Sequence, residues 1–447
     1  MDYDEIYNKY MDILEENRML KIENEDLKKQ LGLQIAEICI ENEYKTISET
    51  KDDISIEKYG LGDVCNSSSS QEKIELYMLL FKGREDVHAK RWQNKQGKSG
   101  YSPVCANEWA KGICDKPQMK CSGCNNRKYV NLDADAINRH LRGIEILGVY
   151  AMLPDETCNF LAIDFDDDEW EKDISVLREI CMDKNIPFAV ERSRSGNGAH
   201  VWFFFMEKIP ALAARKFGTS LLTYAMMQRH EIKFKSYDRL FPNQDTMPKG
   251  GLGNLIALPM QKSARKNNNT VFIDDNLEPF KDQWSFLSCI GKITKDEIIF
   301  YTSEFCVGNE LGDLKEIEEE SIKPWEKNKE NFKLSKADFP DIAKITTANI
   351  IFISKEGFSN KALNSIKRMA AFKNPEFYKA QAMRLPTFDK ARVISLSDET
   401  TEYLCIPRGC ENDLCSFLTE NKINFSCDDK TYIGKPICVE FNGQLRE

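Results

Sequence analysis

The sequence has no uninterrupted apolar run of about 18 residues, the length that a membrane-spanning helix needs. Its first residues, MDYDEIYNKY, lack the basic and apolar regions of a secretory signal peptide. It also lacks the phosphate-binding pattern G-x-x-x-x-G-K-[ST], so it contains no ATPase of that class. These absences predict a protein of the cytoplasm that does not enter a membrane. In that reducing compartment the 15 cysteines would be free thiols or metal ligands.

The sequence also lacks an overall positive charge: its 447 residues have a net charge of −10. The charge is unevenly distributed, however. Residues 88–128 contain nine lysines and arginines but two acidic residues, and residues 229–266 contain eight basic and three acidic residues. Because local basic patches attract phosphate backbones, these two regions are candidates for nucleic-acid contacts. The alternative is that the lysines only solvate the surface.

Residues 161–166, LAIDFD, form the central motif. On a β-strand, alternate side chains point to opposite faces, so Asp164 and Asp166 share a face and Phe165 points into the core. Two carboxylates about 7 Å apart can hold Mg²⁺ or Mn²⁺ for the transfer of phosphoryl or nucleotidyl groups. The alternative is an acidic turn after a buried strand, since DFDDDEWEKD continues the acidic run.

A second group of polar residues follows in the order helix, strand PFAVERS, turn SGNG and strand AHVWFFF. The two glycines of the turn permit positive φ and a close approach of the backbone to a phosphate. Guanidinium, hydroxyl and imidazole groups beside paired carboxylates suit a nucleotide triphosphate. By itself, the histidine would more often be a hydrogen-bonded core residue. The residues concerned are Arg192, Arg194, Ser195, Gly196, Gly198 and His200.

Four cysteines lie within 20 residues in the spacing C-x8-C-x6-C-x2-C. They are Cys105, Cys114, Cys121 and Cys124. Four thiolates can close a tetrahedral Zn²⁺ site, and the final C-x2-C is the usual knuckle around the metal. The segment has few apolar residues, so zinc would supply its folding energy, and no ligand position is left open for chemistry. We therefore predict a structural zinc site; the alternative is four free thiols.

The N-terminal residues have a seven-residue periodicity, with isoleucine or leucine at d and asparagine at two of the a positions. This pattern is typical of a parallel two-stranded coiled coil, and it predicts self-association through residues 1–44. The alternative is a lone helix packed on its own domain. Residues 45–71 lose the periodicity, and their glycines and serines predict a linker.

Three segments in order, LAIDFD, SGNGAHVW and FPNQD followed by LGNLIALPMQ, resemble the motifs of the archaeo-eukaryotic primase superfamily. The closer resemblance is to its primase-polymerase branch, which occurs in prokaryotic conflict systems and beside CRISPR loci. It implies that Asp164, Asp166 and Asp245 hold the divalent ions, and that Ser195 and His200 hold the nucleotide phosphates. Asp238, in SYDR, competes with Asp245 for the third position.

The resemblance and the order β-α-β-β together predict an α+β protein with an RRM-like primase core, two helices lying on one face of an antiparallel sheet. The expected catalytic domain spans 72–307, with the zinc knuckle at 105–124. A charged linker over 308–336 and a smaller α/β module over 337–447 would follow. In proteins that this chain resembles, the segment NPEFYKAQAMRL leads into a superfamily 2 helicase, so a helicase region is an expected partner.

The resemblance implies a DNA-dependent primase-polymerase. Such an enzyme makes primers de novo on single-stranded DNA and extends them from NTPs or dNTPs. A second nucleotide site is expected near the zinc knuckle or Lys249, which is also a candidate nucleotide contact. Two other functions fit the motifs: a repair-type polymerase or terminal transferase that only extends strands, and a non-catalytic zinc-containing module that binds nucleic acid.

Overall fold

The described part of the chain comprises most residues after position 63. A computed structural model describes residues 64–119, 121–166, 169–233, 236, 239–305, 334–387, 389–432, 434, 438, 440 and 443. The predicted coiled coil, most of the linker that follows it and most of the charged linker lie outside these residues. None of the helices in the described part combines the length and apolar character needed to cross a bilayer.

Helices and strands are both found throughout the described residues. The helices are α1 (Ser70–Leu80), α2 (Ala134–Leu141), α3 (Trp170–Asp183), α4 (Ala211–Gln228), α5 (Lys262–Arg265), α6 (Gln283–Ser288), α7 (Lys295–Phe305), α8 (Asn360–Met369), α9 (Pro375–Ala382) and α10 (Glu411–Glu420). The first eight strands are β1 (Ala89–Gln93), β2 (Ser99–Pro103), β3 (Leu147–Tyr150), β4 (Thr157–Phe165), β5 (Ala189–Arg192), β6 (Ala199–Pro210), β7 (Leu240–Phe241) and β8 (Leu255–Ala257). The others are β9 (Ile342–Thr347), β10 (Ile351–Ser354), β11 (Ala371–Lys373), β12 (Val393–Ser395), β13 (Asp398–Glu399), β14 (Tyr403–Ile406) and β15 (Asn424–Asp429).

The sheet that contains LAIDFD is antiparallel, with the strand order β5-β6-β4-β7. Leu161 and Ile163 of β4 join a buried core with residues of α3 and α4, so both helices cover the same face. The chain order β4-α3-β5-β6 is the predicted β-α-β-β order. The structure confirms a mixed α+β fold with two helices on one face of an antiparallel sheet.

The opposite face of this sheet is covered as well. Phe160 and Ala162 alternate with Leu161 and Ile163 along β4 and therefore point to this opposite face. They belong to a second core with Trp202, α1 and α6. The second sheet, with the order β2-β1-β3-β8, contributes residues to this core. Strand β4 is thus buried on both faces until it reaches Asp164, whose side chain is 23% exposed.

Helix α1 begins inside the serine run that was predicted to belong to a linker. Ser69 accepts a hydrogen bond from the Glu72 backbone N–H, and the Glu72 carboxylate accepts one from Ser69 N in return. This capping box satisfies two of the free amides at the helix start. Val64 is buried, and Asn66 N donates to Asp282. The last residues of the predicted linker therefore pack on the residues that follow them and are part of the fold.

The segment TVFID, residues 270–274, has the apolar and β-branched residues of a strand but forms no continuous one. Phe272 and Ile273 form only isolated bridges, to Glu191 and Pro279. The backbone of Val271 and Ile273 still hydrogen-bonds to β5, so the segment extends the edge of the sheet without a continuous ladder.

The C-terminal residues build a separate five-stranded sheet in the order β13-β14-β10-β9-β15. Apolar residues of α8 and α10 pack with the inward residues of β9, β10 and β14 in its core. The intervening segment, from β11 to β12, turns back toward the sheet that contains β4, and Val393 of β12 belongs to the core around β4. The predicted α/β module thus shares a core with the sheet that contains β4.

A buried ionic cluster joins these two parts. The Asp245 carboxylate pairs with the Arg215 guanidinium of α4 and lies 3.8 Å from Arg392 Nη1; Gln381 Nε2 of α9 donates to it at 2.8 Å. Both arginines are fully buried. Burial alone would raise the pKa of Asp245, but the two guanidiniums outweigh it and lower that pKa. Asp245 is therefore ionised and anchors the C-terminal part to the sheet.

We predict that Asp245→Asn destabilises the fold, because it removes the shared negative charge between two buried guanidiniums. The free energy of unfolding in urea should fall by about 3–5 kcal/mol. Asp245 has the ordinary carboxyl pKa in the unfolded chain and a lowered pKa in the folded protein. The stability of the wild type should therefore also fall as the pH drops from the first of these values through the second. Asp155, whose exposed carboxylate lies 3.3 Å from Lys208 Nζ, provides the matched control. Asp155→Asn should cost at most about 1 kcal/mol, and equal losses in the two variants would contradict the assigned role.

Candidate active site

The polar end of β4 is the centre of the site. Phe165 is buried among the residues of the first core, while Asp164 and Asp166 lie on the other face. Both carboxylates contact one guanidinium, that of Arg239: Nη1 lies 3.1 Å from Asp164 Oδ2 and also pairs with Asp166. The two aspartates therefore converge on one point, as the period of the strand predicted.

Arg239 owes its position to the short strand β7. Ile163 pairs with Leu240, and Asp164 N donates to the Arg239 carbonyl oxygen at 3.0 Å. This pairing brings the arginine side chain beside the carboxylates and supplies positive charge where two negative charges would otherwise repel each other. Sequence reasoning missed Arg239, although it adjoins the candidate Asp238 in SYDR.

His200 lies directly across the sheet from Asp164, because the register of β4 and β6 pairs these two residues. Its Nε2 is 3.6 Å from Asp164 Oδ1, and its Nδ1 donates to Glu191 Oε2 at 2.9 Å. Trp202 Nε1 donates to the same Glu191 oxygen at 3.0 Å. Glu191 is only 1% exposed. This buried carboxylate fixes the orientation of the imidazole and presents its Nε2 to Asp164.

Glu191 was also missed by sequence reasoning. The signal available was a single acidic residue inside the apolar strand PFAVERS, at the position that pairs with His200. Burial lowers the pKa of His200, but the charges of Glu191 and Asp164 outweigh it, and the net effect is a raised pKa. The site thus favours the imidazolium form of His200.

The turn before His200 packs against the end of β4. A Cβ atom on Gly198 would lie 2.4 Å from the Phe165 carbonyl oxygen, so only glycine permits this approach. Gly196 has a φ of 84°, in the left-handed region. Ser195 Oγ accepts a hydrogen bond from Asn197 N at 3.2 Å, within the turn. The structure thus brings the Ser-to-His turn and the aspartate pair together.

The two arginines before the turn have different environments. The Arg192 guanidinium donates to the backbone carbonyl oxygens of Asn268 and Leu277, so its contacts are structural. Arg194 donates to the Gln261 side chain. No carboxylate among the described residues forms an ion pair with Arg194, which leaves its charge available to an anion.

The structure does not bring Asp245 or Lys249 together with Asp164 and Asp166. Met247 N donates to Glu156 Oε1, just before the opposite end of β4, and Lys249 N donates to the Arg384 carbonyl oxygen. Eight residues of extended strand separate Glu156 from Asp164, or roughly 25 Å. The reason is that the antiparallel chain runs away from Asp164 after β7. The competing candidate, Asp238, lies outside the described residues.

The four cysteines of the predicted knuckle line one pocket, together with Lys116, Arg127 and Tyr129. Cys124 N donates to the Cys121 carbonyl oxygen, and Lys128 N donates to Cys105 Sγ at 3.4 Å. Within the described residues, no group of three or more histidine, cysteine, aspartate or glutamate side chains is arranged to hold a metal ion. The pocket therefore gathers the thiols without closing a ligand sphere.

The family of the chain follows from residues 72–301, just over half of its length. They match the family model described as the archaeo-eukaryotic primase domain of the TOTE conflict system. The chain belongs to this family. The match confirms the resemblance expected from the motifs, and it supports nucleotidyl transfer as the chemistry of this family, whose members use divalent metals and bind DNA and nucleotides.

Other comparisons add little to the family assignment. No curated protein matches the chain. A solved structure, the polymerase domain from Mycobacterium tuberculosis ligase D in complex with DNA, is 14% identical and has a TM-score of 0.26. The alignment covers 53% of this chain and 89% of that chain.

We predict that the pKa of His200 in the metal-free protein lies above its ordinary value of 6.5. The chain has four histidines, so an NMR titration of labelled imidazoles can resolve this one. Glu191→Gln keeps an oxygen acceptor but removes the charge, so the pKa should fall toward or below 6.5. A pKa that does not move in Glu191→Gln would show that Glu191 does not hold the imidazolium.

Proposed function

We propose that this protein is a DNA-dependent primase-polymerase. It would start primers de novo on single-stranded DNA and extend them from nucleoside triphosphates. The observation that supports this proposal is the convergence of Asp164, Asp166 and His200 at the end of β4, beside a glycine turn that packs on the strand. Paired carboxylates next to a cationic imidazole suit the transfer of a nucleotidyl group between polyanions.

Asp164 and Asp166 would hold the Mg²⁺ or Mn²⁺ ions. The donor set fits, because hard divalent cations prefer carboxylate oxygens. Such ions lower the pKa of the attacking 3′-hydroxyl and stabilise the pyrophosphate that leaves. Arg239 lies against the same carboxylates and limits their mutual repulsion before an ion binds.

The third carboxylate would be Asp238. Asp245 forms a buried ion pair with Arg215, so a metal could use its oxygens only by breaking that pair. Asp238 immediately precedes Arg239, the residue that pairs across from Asp164. Loss of Asp238 should therefore abolish synthesis at unchanged stability, whereas Asp245→Asn should act through stability.

The incoming triphosphate would lie on the turn. The Gly196 and Gly198 backbone permits close approach of a phosphate, and the Ser195 hydroxyl and His200 Nε2 can donate to its oxygens. Arg194 would add a guanidinium, whereas Arg192 holds the local backbone. Catalysis by these residues would consist of positioning and charge neutralisation.

Synthesis without a primer is the deciding test. Wild-type protein with circular single-stranded DNA, labelled nucleotides and Mg²⁺ or Mn²⁺ should make new strands, and Asp164→Ala/Asp166→Ala should make none. Asp155→Ala, at an exposed ion pair outside the site, serves as the control. Extension of an added primer without de novo product would favour the repair-type polymerase. DNA binding without any synthesis would favour the non-catalytic module.

We further propose that Zn²⁺ closes the cysteine pocket. Four thiols in one pocket, with a backbone N–H directed at Cys105 Sγ, are the donors that structural zinc uses. The expected result is about one zinc per chain by elemental analysis. Cys121→Ser/Cys124→Ser should lose that metal and lower the melting temperature, whereas Cys289→Ser, at an exposed thiol elsewhere, should do neither. A zinc-free wild type would refute the site.

A further inference from the structure

Strands β1 and β2 form a hairpin that extends beyond the sheet to which it belongs. The two strands pair along their whole length, from Ala89 opposite Pro103 to Gln93 opposite Ser99. Pairing with the next strand, β3, involves only Ala89 and Lys90. Arg91 N still donates to the Ile146 carbonyl oxygen, just before β3, at 2.7 Å. From Trp92 onward, β1 has a neighbouring strand on one side only, and the tip of the hairpin projects from the sheet.

The hairpin is positively charged and has no acidic residues. Between residues 87 and 107 the sequence contains four lysines or arginines and no aspartate or glutamate. Lys90 pairs with Glu145 at 2.7 Å. The other three cations, Arg91, Lys95 and Lys98, form no ion pair with any carboxylate in the described part of the chain. Their charge is therefore available to a polyanion.

An aromatic ring lies on the projecting part of the hairpin. Trp92 is opposite Gly100, and a Cβ atom placed on that glycine would be 3.1 Å from the ring atom Cζ2. The indole thus lies against the strand backbone, which holds it in place, yet the residue remains 41% exposed. A large exposed ring with a supported position is suited to stacking on an unpaired base.

The other face of the hairpin carries Arg91, whose charge acts on Arg194, just before the turn of residues 195–198. Arg91 alternates with Trp92 along β1 and is opposite Tyr101. Burial, and after it the positive charge of Arg91, lower the pKa of Arg194. Arg194 immediately precedes Ser195 of the turn.

We propose that the β1–β2 hairpin binds single-stranded DNA, with Trp92 stacked on a base and Lys95 and Lys98 at phosphates. That this strand is the template rests on the proposed function; the binding itself does not. A single-stranded partner is favoured over duplex DNA because bases inside a duplex offer no free face to an indole.

The test measures the binding of a fluorescein-labelled oligo(dT) of 20 nucleotides by anisotropy, without nucleotides so that no synthesis occurs. Trp92→Ala should weaken binding roughly 5- to 100-fold, the usual range for losing one stacked base. Tyr403→Ala is the matched control, since Tyr403 is a strand residue of similar exposure, 38%, in the C-terminal sheet. It should bind as the wild type does. Equal affinities for Trp92→Ala and wild type would overturn the proposal.

The salt dependence of binding tests the two lysines independently of Trp92. Lys95→Ala/Lys98→Ala should reduce the slope of log K against log salt by about 1.4, because each phosphate contact on a single strand contributes roughly 0.7. An unchanged slope would show that these lysines do not contact the phosphates. Duplex DNA of equal length should compete less well than the single strand, and equal competition would contradict stacking by Trp92.

The proposed function can fail separately from this inference. Asp164→Ala/Asp166→Ala should still bind the oligonucleotide with the affinity of the wild type, although it makes no product. A protein that binds through the hairpin but never synthesises DNA would support the hairpin and refute the polymerase. If the wild type synthesises DNA, and Trp92→Ala and Lys95→Ala/Lys98→Ala both bind the oligonucleotide with wild-type affinity, the result would support the polymerase and refute the role of the hairpin.

Discussion

The pairing of β4 with β6, buried on both faces, is the constraint on which the site depends. Leu161 and Ile163 pack under helices α3 and α4, while Phe160 and Ala162 pack toward α1 and the second sheet. A slip of one residue would turn every side chain of β4 to the other face and drive Asp164 into the first core. The hydrophobic packing therefore keeps Asp164 opposite His200, and the chemistry depends on a register that apolar residues enforce.

Charge at the end of β4 is balanced by neighbours from three different strands. Arg239 reaches both aspartates from the start of β7, and His200 on β6 is held by Glu191 on β5. These groups are in place before any substrate binds, so little reorganisation would be needed when negative charge develops. The overall charge of −10 obscures this arrangement, because the cations are concentrated where a polyanion would bind.

Asp245 shows how one motif can contain residues of different roles. It lies in FPNQD, beside the segment that pairs with the catalytic strand, yet its carboxylate forms a buried ion pair with Arg215. The second guanidinium of the cluster, Arg392, is 147 positions later in the chain, on the segment that returns from the C-terminal part. The Asp245 side chain is largely buried and the pKa of its carboxyl is lowered, so Asp245 is an anchor between two parts of the fold.

The alternation of residues 161–166 was enough to predict that Asp164 and Asp166 share a face, because the period of a strand depends on local geometry alone. The turn SGNG and the β-α-β-β order were likewise readable, since glycine, apolar periodicity and chain order are local properties. The sequence did not predict three other features: the partners Glu191 and Arg239, the buried position of Asp245, and the projection of the β1–β2 hairpin. Each depends on which strands pair and in what register, and that outcome is set by the packing of cores whose residues are far apart in the chain.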